Sequence, residues 1–281
     1  MKISYKKLVK AFISQNWKDL IVIFMIPIVL FLLFLLPGNL KEILVLHRDY
    51  SSVYDIFTTN FIHEEFSHLA FNVMAYTIVI FLLYILLLTL NKKELFYKLL
   101  IINLSIVPIL ISLIWIPVNK FRWTGALRTL GFSGIVSSIC GMVVYAYILL
   151  LHEKIKINTF YAYLSSIFLI PLLFTLTYFT FTRDVVMIII ALAIVFFITT
   201  YKTTRTIDKK AEANLLKTSK RPKTVKLLLP ILYLILILFS VALFPKEFIQ
   251  GNIGVNFFIH YTGFIIGTAI FFVVYFICTK K

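Results

Sequence analysis

The sequence predicts an all-α polytopic membrane protein with about eight spans. Of its residues 61% are hydrophobic and 14% charged, and the mean hydropathy is +0.97, far above the roughly half-apolar make-up of soluble domains. Apolar runs long enough to cross a bilayer recur along the chain, and the stretches between them are too short to hold a soluble domain.

Residues 1–19 are basic, and Leu8, Val9, Phe12, Ile13 and Trp17 recur at helical spacing. This segment reads either as a cytoplasmic amphipathic helix on the membrane surface or as an extension of the first span. Residues 20–281 then form the transmembrane domain, with spans expected at 20–36, 69–90, 99–118, 134–151, 160–181, 185–201, 227–244 and 257–277. The first run ends in Pro37, Gly38 and Asn39 without a small-x-small cleavage site, which favours a retained span over a removable signal peptide. Thr182, Arg183 and Asp184 alone separate the fifth span from the sixth, as in a tight helical hairpin.

The formal net charge of +16 sits in short loops between spans, where it sets orientation and meets anionic lipid head groups, so nucleic acid is not the expected partner. With both termini cytoplasmic, the inner loops hold about 21 of the 28 lysines and arginines, including the basic loop at 202–226. The expected location is thus the cell membrane. Cys140 and Cys278 both lie in apolar runs and imply no disulfide framework.

Three polar stretches interrupt this apolar pattern. The first holds His63, Glu64, His68 and Asn72 at the head of the second span. A zinc site of HExxH type is excluded, because Ser67 takes the fourth position and the two histidines, five residues apart, lie about 140° apart around a helix. His68 and Asn72, four apart, share a face and present either two donors to one developing oxyanion or a polar cluster that glues spans together. His63, Glu64 and Glu65 are expected at the water interface, without catalytic work.

The second stretch is Gly131, Phe132, Ser133 and Gly134, which puts a serine at the start of the fourth span with uncovered backbone on both sides. Ser137 and Gly141 follow Ser133 at four-residue steps and make a small-residue stripe that admits a close helix neighbour. The third stretch, in the last span, supplies that neighbour with Gly263 and Gly267, and His260 lies one turn before Gly263. An ionisable residue at that depth is a functional candidate by default. With an odd number of crossings between their helices, Ser133 and His260 stand at the same, outer, end, where the histidine can act as general base to the serine. The last loop, residues 245–256 with Gly251 and Gly254, is short and flexible enough for a lid.

Taken in order, the HxxxxHxxxN, GxSG and HxxGxxxG patterns resemble those of the rhomboid intramembrane serine proteases. The resemblance covers the first four spans and the last, and implies a rhomboid-like helical bundle of six core spans, here with two extra spans between 160 and 244. It further implies a Ser133 and His260 dyad, and an oxyanion site from His68, Asn72 and the Ser133 backbone. The implied activity is that of a serine-type endopeptidase cutting transmembrane protein substrates in or near their spans, with no metal or organic cofactor. The span at 227–244 is the expected substrate gate. Two features depart from the family pattern: the first outer loop lacks a Trp-Arg pair, and Ser137 stands where an aromatic ring often stacks on the histidine. The alternatives are a catalytically inactive relative that binds membrane-protein clients and a transporter; a glutamate-type intramembrane protease is a weaker third.

Overall fold

The computed structural model describes residues 5–47, 52–120, 128–153, 249–250, 253–254 and 257–279. Five of its helical stretches are long and apolar enough to cross a membrane: Ser14–Phe34, Phe66–Thr89, Lys93–Pro117, Ser133–Leu150 and Ile259–Cys278. The chain is therefore membrane-embedded and mostly helical. The spans expected at 160–181, 185–201 and 227–244, and the basic loop at 202–226, lie outside the described residues.

Helix α1 (Tyr5–Phe34) carries the N-terminal segment and the first span in one element, kinked where Asn16 leaves helical geometry (φ −121°, ψ 16°). Residues 5–19 thus continue into the first span as one bent helix. The kink sits in a buried polar cluster at one end of the bundle. Asp19 of α1 accepts from Tyr84 on α4 (Phe66–Thr89), from Tyr97 on α5 (Lys93–Ser105), and from Lys93 Nζ at 2.6 Å. Tyr84 also reaches Asn16 Oδ1 at 2.8 Å. Three elements share this buried carboxylate, which joins α1, α4 and α5.

Helix α4 ends in a Schellman turn: Asn91 takes the left-handed conformation (φ 58°), Lys92 N–H donates to Leu87 O and Asn91 N–H to Leu88 O. The chain reverses within three residues, Leu90, Asn91 and Lys92, and enters α5. The third span, expected as one run, comprises α5 and α6 (Val107–Lys120), parted at Ile106, with Pro108, which lacks an amide hydrogen, just beyond.

Between the first two spans lie α2 (Gly38–Ile43), strand β1 (Leu46–His47), α3 (Asp55–Thr58) and a 3₁₀ turn Thr59–Phe61. Strand β2 (Arg128–Thr129) pairs antiparallel with β1. Helix α7 (Ser133–Glu153) is the centre of the molecule, and its span is wholly buried. Beyond it are the hairpin strands β3 (Ile249–Gln250) and β4 (Ile253–Gly254) and the last span, α8 (Phe257–Thr279). The segment read as a flexible lid is, where described, an antiparallel hairpin whose β4 lies beside β2. Large apolar side chains left open on α1 and α8, such as Ile28, Leu32, Val273 and Ile277, are what lipid contact requires.

Candidate functional site

The site begins with a helix pair that contains almost no side chain between its backbones. A Cβ added to Gly263 would lie 2.2 Å from Gly134 O, one on Gly267 1.9 Å from Ser138 O, and one on Gly141 2.2 Å from Phe264 O. Helices α7 and α8 therefore touch backbone to backbone and run parallel. Gly141 of the expected stripe meets α8, but Gly134 and Ser138, one residue on from Ser133 and Ser137, face Gly263 and Gly267. That rotation leaves Ser133 beside the contact instead of within it. Ser133 Oγ lies 2.7 Å from His260 Nε2, a hydrogen bond between residues 127 apart in sequence. Ser133 is 9% exposed and His260 5%, so this pair is nearly closed off.

The turn that delivers Ser133 is held from several sides. Gly131 has φ +113°, and a Cβ there would meet His68 Cε1 at 2.6 Å, so only glycine satisfies both backbone and neighbour. Its N–H donates to Thr59 O at 3.0 Å, and the Thr59 hydroxyl donates to Thr129 O while accepting from Leu46 N–H at 3.1 Å. Phe132 is buried against the rings of Phe61 and Tyr76. Helix α7 starts at Ser133, and its first amides, with no partner inside the helix, aim the positive end of the helix dipole at any oxyanion formed there.

His68 and Asn72 both stand beside this turn, His68 against Gly131 and Asn72 buried through a third residue, His63. His63 corrects the sequence reading. It is 0% exposed, not at the water interface, and its Nε2 accepts from Asn72 Nδ2 at 2.9 Å and from Phe132 N–H at 3.4 Å. Its Nδ1–H donates to Phe61 O at 3.3 Å, which fixes the neutral tautomer, and its ring sits edge-on to that of His68 at 5.0 Å. His63 thus links the asparagine to the serine turn.

Burial, reinforced by the neighbouring His68, pushes the His63 imidazole down to about 3. An unfolded histidine titrates near 6.5, so between those values the unfolded chain binds a proton that the folded one refuses, and stability falls as pH falls. From pH 7 to pH 5 this amounts to about 2 kcal/mol. Thermal unfolding of the wild type should therefore drop further over that interval than that of His63→Gln, whose carbonyl still accepts from Asn72 but does not titrate. Equal drops would show that His63 is not held neutral.

Arg128 is a second residue the sequence reading passed over. It donates to Glu42 Oε2 at 2.8 Å and Glu64 Oε2 at 2.9 Å, tying α2 and the head of α4 to the strand that leads into the serine turn. Glu64 is half-buried in this clasp, while Glu65 is exposed. Ser137 is buried, and its hydroxyl has no hydrogen-bond partner among the described residues. The loop before α4 carries no Trp-Arg pair, but its fold supplies the turn with hydrogen bonds from Thr59 and an ion pair from the opposite side. No protein-family model, curated protein or solved structure matches the chain.

Proposed function

We propose that the chain is a rhomboid-type intramembrane serine endopeptidase that hydrolyses peptide bonds in or near the transmembrane segments of membrane proteins. The observation that carries this reading is the 2.7 Å bond from Ser133 Oγ to His260 Nε2 at the head of two backbone-packed helices. With the hydroxyl as donor, Nε2 is the unprotonated nitrogen and is placed to act as general base.

Ser133 Oγ attacks the scissile carbonyl carbon as its proton passes to His260. The carbonyl oxygen becomes an oxyanion, met by the Ser133 amide at the start of α7 and by His68 and Asn72. Collapse breaks the carbon–nitrogen bond, and His260 returns the proton to the leaving amine. Water, deprotonated by His260, then attacks the acyl ester and releases Ser133. A substrate helix hides its carbonyls in its own hydrogen bonds, so segments with Gly, Pro or polar residues are the expected targets. The charge distribution favours a site at the outer face, with both termini cytoplasmic.

The test is labelling of the detergent-purified protein with a fluorescent fluorophosphonate. Wild type and the exposed control Ser105→Ala should label, and Ser133→Ala and His260→Ala should not. Label on Ser133→Ala would overturn the nucleophile. Absence of label on folded wild type that also leaves a model transmembrane substrate intact would favour a silent client-binding relative.

A further inference from the structure

At the end of the bundle opposite the dyad, the Asn91 turn, the start of α5 and the end of α8 enclose a cavity of about 660 Å³. Its lining includes Lys92, Lys93 and Lys98 among Leu95, Tyr97 and Tyr275. The span of α4 ends at Thr89, that of α5 begins at Lys93 and that of α8 ends at Cys278, so the cavity lies where hydrocarbon gives way to head groups.

We infer that this cavity binds the phosphate of an anionic phospholipid. The lysines are not equally engaged. Lys93 is committed to Asp19 at 2.6 Å. Lys92 lies 3.3 Å from Glu153, a carboxylate that also accepts from Tyr275, and 5.2 Å above the Tyr275 ring. Lys98 is exposed, touches Cys278 Sγ at 3.4 Å and forms no ion pair among the described residues. Glu94 is the acidic side chain in the lining, and it shares the start of α5, where no side chain caps the helix, with the lysines. A phosphate there meets Lys98, Lys92 and the positive end of α5.

The surroundings select a lipid over the free ion. One turn into the membrane from Lys98, Ile101 is left 65% exposed, and Phe276 and Ile277 are exposed on α8 beside Cys278. An acyl chain leaving the cavity has an apolar strip to lie on; a free phosphate gains nothing from it.

Calorimetric titration of the full chain in neutral detergent with dioctanoyl phosphatidylglycerol, dioctanoyl phosphatidylcholine and inorganic phosphate tests this directly. The anionic lipid should bind at one site and about tenfold or more above the zwitterionic one. Lys98→Gln should lower its affinity about fivefold, and adding Lys92→Gln about fivefold again, while Lys98→Arg and the opposite-end control Lys41→Gln keep it. Lys98 has no ion pair among the described residues, so that single variant stays readable if the double one unfolds. Equal binding of the two lipids, unchanged affinity in Lys98→Gln, or inorganic phosphate binding as tightly as the lipid would each overturn the inference.

Discussion

Gly267→Ala is expected to slow fluorophosphonate labelling about a hundredfold or more, in a protein that keeps its helix content. The added Cβ would sit 1.9 Å from Ser138 O, whereas ordinary contact begins at 3.4 Å, so α7 and α8 must part by about 1.5 Å. A backbone carbonyl cannot swing aside as a side-chain end can. Because the same helix pair carries the dyad, a 2.7 Å hydrogen bond opens towards 4 Å, and a 1 Å error in such geometry already costs about a hundredfold. Gly38→Ala, at a position with nothing within 4 Å, is the matched control and should label normally. Normal labelling of Gly267→Ala would show that the close helix contact is not what aligns Ser133 with His260.

Gly131→Ala should lose labelling by more than about tenfold and lower the unfolding temperature, because two separate costs fall on one residue. The backbone at φ +113° strains any side chain by about 1–3 kcal/mol, and the new methyl meets the His68 ring at 2.6 Å. A double-mutant cycle separates them. In a His68→Ala background the collision is gone but the strain remains, so Gly131→Ala should still destabilise, by less than in wild type. If it became neutral there, contact with His68 would be the whole reason for glycine.

Much of this site was legible in the residues. Gly131, Ser133, Gly263, Gly267 and His260 announce themselves because a glycine or an ionisable group inside an apolar run has few other uses. The starts of α4, α7 and α8 fall within about three residues of the expected ones. What escaped was whatever depends on contacts between distant segments. His63 precedes α4 among polar neighbours, so local sequence reads it as interfacial; its burial comes from the 3₁₀ turn Thr59–Phe61 and from Phe132, far away in the chain. Arg128 looks like one more loop cation until β2 carries it between Glu42 and Glu64. Of the α7 stripe, Gly141 was placed correctly but Ser133 and Ser137 stood one residue off, because helix periodicity identifies small residues but not which carbonyls will face a neighbour. Asp19, unremarked in the sequence, joins three helices.

The 127 residues between Ser133 and His260 also set a clock. At about 5–20 residues per second, a ribosome needs roughly 6–25 s to pass from the serine codon to the histidine codon. Throughout that interval the α7 serine is already made, and its base does not yet exist. On the proposed mechanism, a half-synthesised chain carries the Ser133 hydroxyl without its base and is harmless to its neighbours. Under that proposal the dyad forms only when the glycine face of α8 docks on α7, so a delay in inserting that helix also delays the dyad.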